Sequence, residues 1–95
     1  MSLNKLAKKA HQTSRNNGWW DVERTELEII ALIMSELGEW VQAYRKGGAV
    51  EEEMADVLIR LLDYVGRKNI DFDKVVKDKM IYNKTRGYRH GGKVA

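Results

Sequence analysis

Apolar residues recur along most of this chain at spacings of three and four, the period of a helix with one buried face. Leu6, Ala7 and Ala10 form a modest stripe, which predicts a first helix from about Leu3 to Ser14. Asn16-Asn17-Gly18 stops it, because glycine readily takes the left-handed backbone of a helix C-terminus. Trp19-Trp20-Asp21 then reads as a connector. Ile30, Met34, Leu37, Val41 and Tyr44 make the main stripe of a second helix, from about Glu23 to Arg45, closed by Lys46-Gly47-Gly48. Met54, Leu58, Leu61 and Val65 make the stripe of a third, from about Val50 to Arg67. Its first turn holds Glu51, Glu52 and Glu53, where the helix dipole favours acids. Lys68-Asn69 closes it, and Asp71 caps a fourth helix that runs to about Lys84. No segment shows convincing strand alternation. The expected fold is all-α, a four-helix bundle in which the short Gly47-Gly48 turn makes the second and third helices antiparallel. One domain spans residues 1–95, with a basic, loop-like tail from about Arg86.

The polar positions inside these helices carry the chemistry. Glu36 and Glu39 read Glu-x-x-Glu, and Glu53 and Asp56 read Glu-x-x-Asp. Residues three apart share a helix face, so each pair is a two-pronged oxygen claw. Both pairs sit in runs rich in Ile33, Met34, Leu37 and Trp40, or Met54, Val57, Leu58 and Ile59, where an acid needs a partner. On a wheel of about 100° per residue, Glu36 and Glu39 lie beside Leu32 and Ala43, away from the main stripe. Glu53, Asp56, Arg60 and Asp63 line one face of the third helix. Both acidic pairs lie towards the glycine turn, so the claws can meet across the helix pair. Carboxylate oxygens suit a hard divalent cation such as Mg²⁺. A di-iron site needs Glu-x-x-His pairs, and neither His11 nor His90 follows a Glu at that spacing. Glu51 and Glu52 are explained by their place at a helix start. His11 reads as a polar helix residue rather than a catalyst.

Charge is unevenly spread. Lys74 to Ala95 holds seven basic residues and one acid, a net +6, while the rest of the chain carries −3. Such a basic segment attracts phosphate. Within it, Lys79 and Asn83 are four apart on one helix face, and Arg86 follows three later. Together they form a candidate phosphate clamp, with His90-Gly91-Gly92-Lys93 beyond. The plain alternative is a solvated basic tail. Trp40 reads as structural, whereas Trp19 and Trp20 are left open between packing and stacking on a base. The chain has no Cys, which excludes disulfides and Cys-based zinc sites. Its first nine residues lack the apolar core of a signal peptide, and no run is long enough to span a membrane. A cytoplasmic protein without membrane association is the expectation.

Taken together, Glu36-x-x-Glu39, Glu53-x-x-Asp56, the upstream Gly18-Trp19-Trp20 and the downstream Lys79, Asn83 and Arg86 resemble the MazG-like nucleotide pyrophosphohydrolases of the all-α NTP pyrophosphatase superfamily. The resemblance runs from about His11 to Lys93. It implies a Mg²⁺-dependent enzyme that converts an NTP or dNTP to the monophosphate and pyrophosphate, for housecleaning or control of a nucleotide pool. It also implies a homodimer or homotetramer with sites at shared helix bundles. Many members carry a further Glu directly before the first pair, and here that position is Ser35.

On this reading Glu36, Glu39, Glu53 and Asp56 hold the metal, and Glu39 accepts the proton of the attacking water. Lys79, Asn83 and Arg86 hold the phosphates, Arg60 adds to them or neutralises Asp56 and Asp63, and Trp19 or Trp20 covers the base. The second helix supports association independently. Ile29, Ile33 and Trp40 leave it apolar on most sides, more than three short helices can cover. A different class of function is a small helical nucleic-acid-binding module using the basic segment. A bare helical association domain is the third.

Overall fold

The computed structural model describes residues 2–86. Four α-helices are present among them and no strand, so the fold is all-α: α1 (Leu3–Asn16), α2 (Glu26–Lys46), α3 (Val50–Lys68) and α4 (Phe72–Thr85). A single 3₁₀ turn, Trp19–Asp21, links α1 towards α2. The tail expected beyond Arg86 lies outside the described residues. No described helix is long and apolar enough to cross a membrane.

The starts of α1, α2 and α4 are set by side chains that satisfy otherwise unpaired backbone N–H groups, whereas α3 starts without a side-chain cap. The second helix begins three residues later than the sequence pattern suggests. Thr25 accepts a bond from the Glu28 backbone N–H at 3.1 Å, and Glu28 accepts one from that of Thr25 at 3.2 Å. That reciprocal capping box fixes the boundary at Glu26 and leaves Glu23 in the connector. Asp71 caps α4 as expected, accepting from the Lys74 N–H. A further pair of caps joins α1 to α4. Asn4 Oδ1 accepts from the Phe72 and Asp73 backbone N–H groups at 2.8 and 3.0 Å. Asp73 Oδ1 in turn accepts from the Leu3 N–H at 2.8 Å, so each helix caps the other.

α1 packs along α3, and α2 lies beside α3 in the opposite direction. Glu26 at the start of α2 pairs with Lys68 at the end of α3 and accepts from the Tyr64 hydroxyl at 2.8 Å. Closer to the turn, Glu36 meets Arg60 at 3.2 Å. The core is small. Ala7 of α1 with Leu62 and Val65 of α3 forms its centre, and Leu6, Ala10, Leu61 and Phe72 pack around it. Burying a Leu or Val side chain is worth about 1.5–3 kcal/mol. Gly66 makes this packing possible. A Cβ there would stand 2.5 Å from the Ala7 carbonyl oxygen and 2.9 Å from His11 Cβ.

The expected core stripes need correction. In α2, Ile30, Met34, Leu37, Val41 and Tyr44 all face outwards, with Met34 65% and Tyr44 77% exposed. The inward side is instead the one carrying Ile29, Leu32, Ile33, Glu36, Trp40 and Ala43. In α3, Met54 and Leu58 are likewise exposed, and Leu62 takes their place beside Val65. The reason is that α2 is apolar on most sides, and its wheel alone does not say which side meets α3. The chain is also extended. Its radius of gyration is 15.9 Å, against about 12 Å for a compact domain of this length.

Candidate functional site

The turn of α2 that holds Glu36 faces the first turns of α3, and the acids converge there. One oxygen each from Glu36, Glu53 and Asp56 lies within 4.8 Å of the others. Glu39, one turn further along α2, is not part of that group, and its side is exposed. It is still near enough to act on Glu53. The Glu53 carboxyl is held above the ordinary carboxylate value of 4.5, first by partial desolvation and then by the negative charges of Asp56, Glu39, Glu36 and Glu52. Like charges held this close favour any cation that can sit among them. Arg60 supplies part of that charge. Its guanidinium pairs with Glu36, rather than with Asp56 or Asp63, and its carbon lies 5.0 Å from the Trp19 ring centre.

A cleft of about 700 Å³ opens beside the acids. Glu36, Asp56, Arg60 and the buried Asp63 form one wall and Trp19 another, while α1 contributes Lys9, Thr13 and Ser14, and Asn17 follows at its end. Trp19 also carries the guanidinium of Arg24 at 3.9 Å from its centre. The volume is within the range of small-molecule sites, and the donor set of three carboxylates fits a hard divalent cation better than a soft one.

Among the described residues, the most deeply buried polar side chain is Asp63, 3% exposed on the inner side of α3. Its Oδ1 accepts three bonds: from His11 Nδ1 at 2.9 Å, from Ser14 Oγ at 2.8 Å and from Trp20 Nε1 at 3.0 Å. The Trp20 N–H is shared, reaching Ser14 Oγ at 2.9 Å as well. An ionised carboxylate only accepts, so His11 carries its proton on Nδ1. The Trp20 N–H thus points inward, while its half-buried ring carries Arg67 at 4.7 Å and borders a second cleft. Of the two tryptophans left open by the sequence, only Trp19 lines the cleft beside the acids.

Lys79, Asn83 and Arg86 stand apart from the acids within one chain. All three lie on or just after α4, which packs against α1, and none lines the cleft. They do share one region of α4. Lys79 Nζ is 4.8 Å and Arg86 Cζ 5.8 Å from the centre of the Tyr82 ring.

The sequence pattern missed Asp63 as a partner of His11, Ser14 and Trp20. The signal was present: an acid flanked by Leu61, Leu62 and Val65 needs a partner by the argument that singled out the claws. Lys9, Thr13 and Asn17 carried no such signal, because their role depends on how α1 crosses α3. Comparison with family models, with curated proteins and with solved structures found no match.

Proposed function

We propose that this chain is a MazG-like, Mg²⁺-dependent nucleoside triphosphate pyrophosphohydrolase that works as a homo-oligomer. The observation that carries the reading is the convergence of Glu36, Glu53 and Asp56 at the edge of a cleft walled by Trp19. Two sequence motifs written on separate helices meet in space, and beside them is room for a nucleotide.

Glu36, Glu53 and Asp56 would hold Mg²⁺, which when bound neutralises phosphate charge and makes a bound water more acidic. Glu39 lies one turn from Glu36 on α2 and is the fourth acid of the set, placed to extend the ligand sphere or to take a proton. Water oxygen bonds to the α-phosphorus, the bond from that phosphorus to the bridging oxygen breaks, and pyrophosphate leaves with the electron pair. Trp19 offers a flat ring for the base. Arg60 shifts its charge from Glu36 towards phosphate once the acids are otherwise neutralised.

Lys79, Asn83 and Arg86 complete the site from a second copy. Three features support this: their absence from the cleft lining in one chain, the exposed apolar face of α2 and the extended shape. An apolar stripe of Ile30, Met34, Leu37 and Val41 is the kind of surface that pairs with another helix. A panel of canonical and modified NTPs and dNTPs, assayed for pyrophosphate with and without Mg²⁺, tests the function. Metal-dependent release from at least one of them is expected, and none from any would refute it.

A further inference from the structure

The Trp19–Asp21 turn has little structure of its own. It is a single 3₁₀ turn entered through Gly18 at φ 81°, and no side chain caps it. Besides the Arg24 bond to the Trp19 carbonyl oxygen, what holds it is Trp20. The Trp20 N–H is bonded inward to Asp63 and Ser14, and its ring packs edge-on to His11 at 5.5 Å. Trp19 then packs against Trp20 at 4.6 Å with the two rings at 74°. Its orientation in the cleft is therefore set by Trp20 on one side, with the Arg24 and Arg60 guanidinium groups over its ring. Asp63 is the common acceptor, and through its three bonds it ties α1, the turn and α3 to one oxygen atom.

We propose that Asp63 is a positioning residue: by anchoring Trp20 and Ser14 it fixes Trp19 as the aromatic wall against which a substrate's flat ring stacks. The choice of a flat ring as occupant rests on the reading of this cleft as a nucleotide site. A buried carboxylate needs hydrogen-bond donors whatever its role. Here it gathers three donors from two different segments, and one of them belongs to the residue next to the cleft wall. Asp63 is among the residues that line the cleft but is only 3% exposed; acting through Trp20 and Trp19, its loss should weaken binding of the ring and leave the chemical step alone.

The experiment compares the wild-type chain with Asp63→Ala, Asp63→Asn and Trp20→Phe. In the free protein, nuclear magnetic resonance reads solvent exchange of the Trp20 indole N–H and contacts of the Trp19 ring with Arg24 and Arg60. In turnover with a Mg²⁺ nucleoside triphosphate, KM and kcat are measured separately. Asp63→Ala should expose the Trp20 N–H, disperse the Trp19 contacts and raise KM about tenfold, the scale of a lost base–aromatic stack, with kcat within about twofold. Asp63→Asn keeps an acceptor oxygen and should restore KM to within about threefold of wild type. If Asp63→Ala does not fold, Trp20→Phe removes the N–H together with the five-membered part of the indole, keeps an aromatic ring beside Trp19, and should reproduce the KM effect. A fall in kcat at constant KM, or unchanged Trp19 contacts in a folded Asp63→Ala, would overturn the proposal. Absence of turnover in the wild type would refute the enzyme reading instead, and the free-protein spectra would still decide whether Asp63 positions Trp19.

Discussion

Replacing Gly66 with alanine adds one methyl group at the tightest point of the fold. The new Cβ would lie 2.5 Å from the Ala7 carbonyl oxygen, 2.9 Å from His11 Cβ and 3.1 Å from the Ala7 carbonyl carbon. An ordinary contact begins near 3.4 Å, so α1 must move away from α3 by about 0.9 Å. The atom in the way is backbone, which cannot rotate aside as a side chain can. Overpacking of this kind costs about 1–3 kcal/mol. Alanine recovers about 1 kcal/mol of that through its better helix propensity. The net expectation is a loss of up to about 2 kcal/mol, or a Tm lower by up to about 15 °C for a domain of this size. The displacement also carries His11 and Ser14 away from Asp63, whose bonds to them are 2.9 and 2.8 Å. Thermal unfolding followed by circular dichroism measures the loss. Gly66→Ala with a Tm above wild type would show that α1 and α3 do not meet as described.

Three further outcomes follow from the same structure. Glu53 binds its proton more tightly folded than unfolded, so its contribution to stability is full below the ordinary carboxylate value and is lost as pH rises through its raised value. Glu53→Gln should therefore flatten that part of the stability–pH curve and hold or raise stability at pH 7 while abolishing metal-dependent turnover, and a wild-type rate would show that Glu53 is no ligand. Asn4→Ala and Asp73→Ala should each cost about 1 kcal/mol in denaturant unfolding, because each removes a helix cap, and independent additive losses would argue against the reciprocal pairing. Met34→Glu with Leu37→Glu on the exposed face of α2 should convert an assembly of at least two chains to monomers by light scattering with helicity retained, whereas a wild-type chain already monomeric at micromolar concentration would contradict assembly through this face.

Much of this fold is legible from local rules. The four helices, the glycine ends at Gly18 and Gly47 and the Asp71 cap follow from spacing and turn chemistry, and all are present. The orientation of α2 is not local. With Ile29, Ile33 and Trp40 on one side and Ile30, Met34, Leu37 and Val41 on another, either side can serve as a core, and only packing against α3 selects the first. The meeting of Glu36 with Glu53 and Asp56 was readable, because a two-glycine turn leaves the two helices no other course than to run back along each other. Their spacing alone could not place Glu39 outside the tightest group. The Asp63 network joins residues about fifty positions apart, and nothing in the immediate neighbourhood of His11 or Ser14 announces it. The clamp residues of α4 are brought near one another by helix periodicity, yet their absence from the cleft lining depends on the whole chain path.

The reading of the cleft turns on where a nucleoside triphosphate is cut. Hydrolysis in water labelled with heavy oxygen, with Mg²⁺ present and the products separated and weighed by mass spectrometry, reports the attacked phosphorus directly. Attack at the α-phosphorus predicts the nucleoside monophosphate and pyrophosphate as products, with the label in the monophosphate. Label in the pyrophosphate, or diphosphate and orthophosphate as the products, would contradict the account.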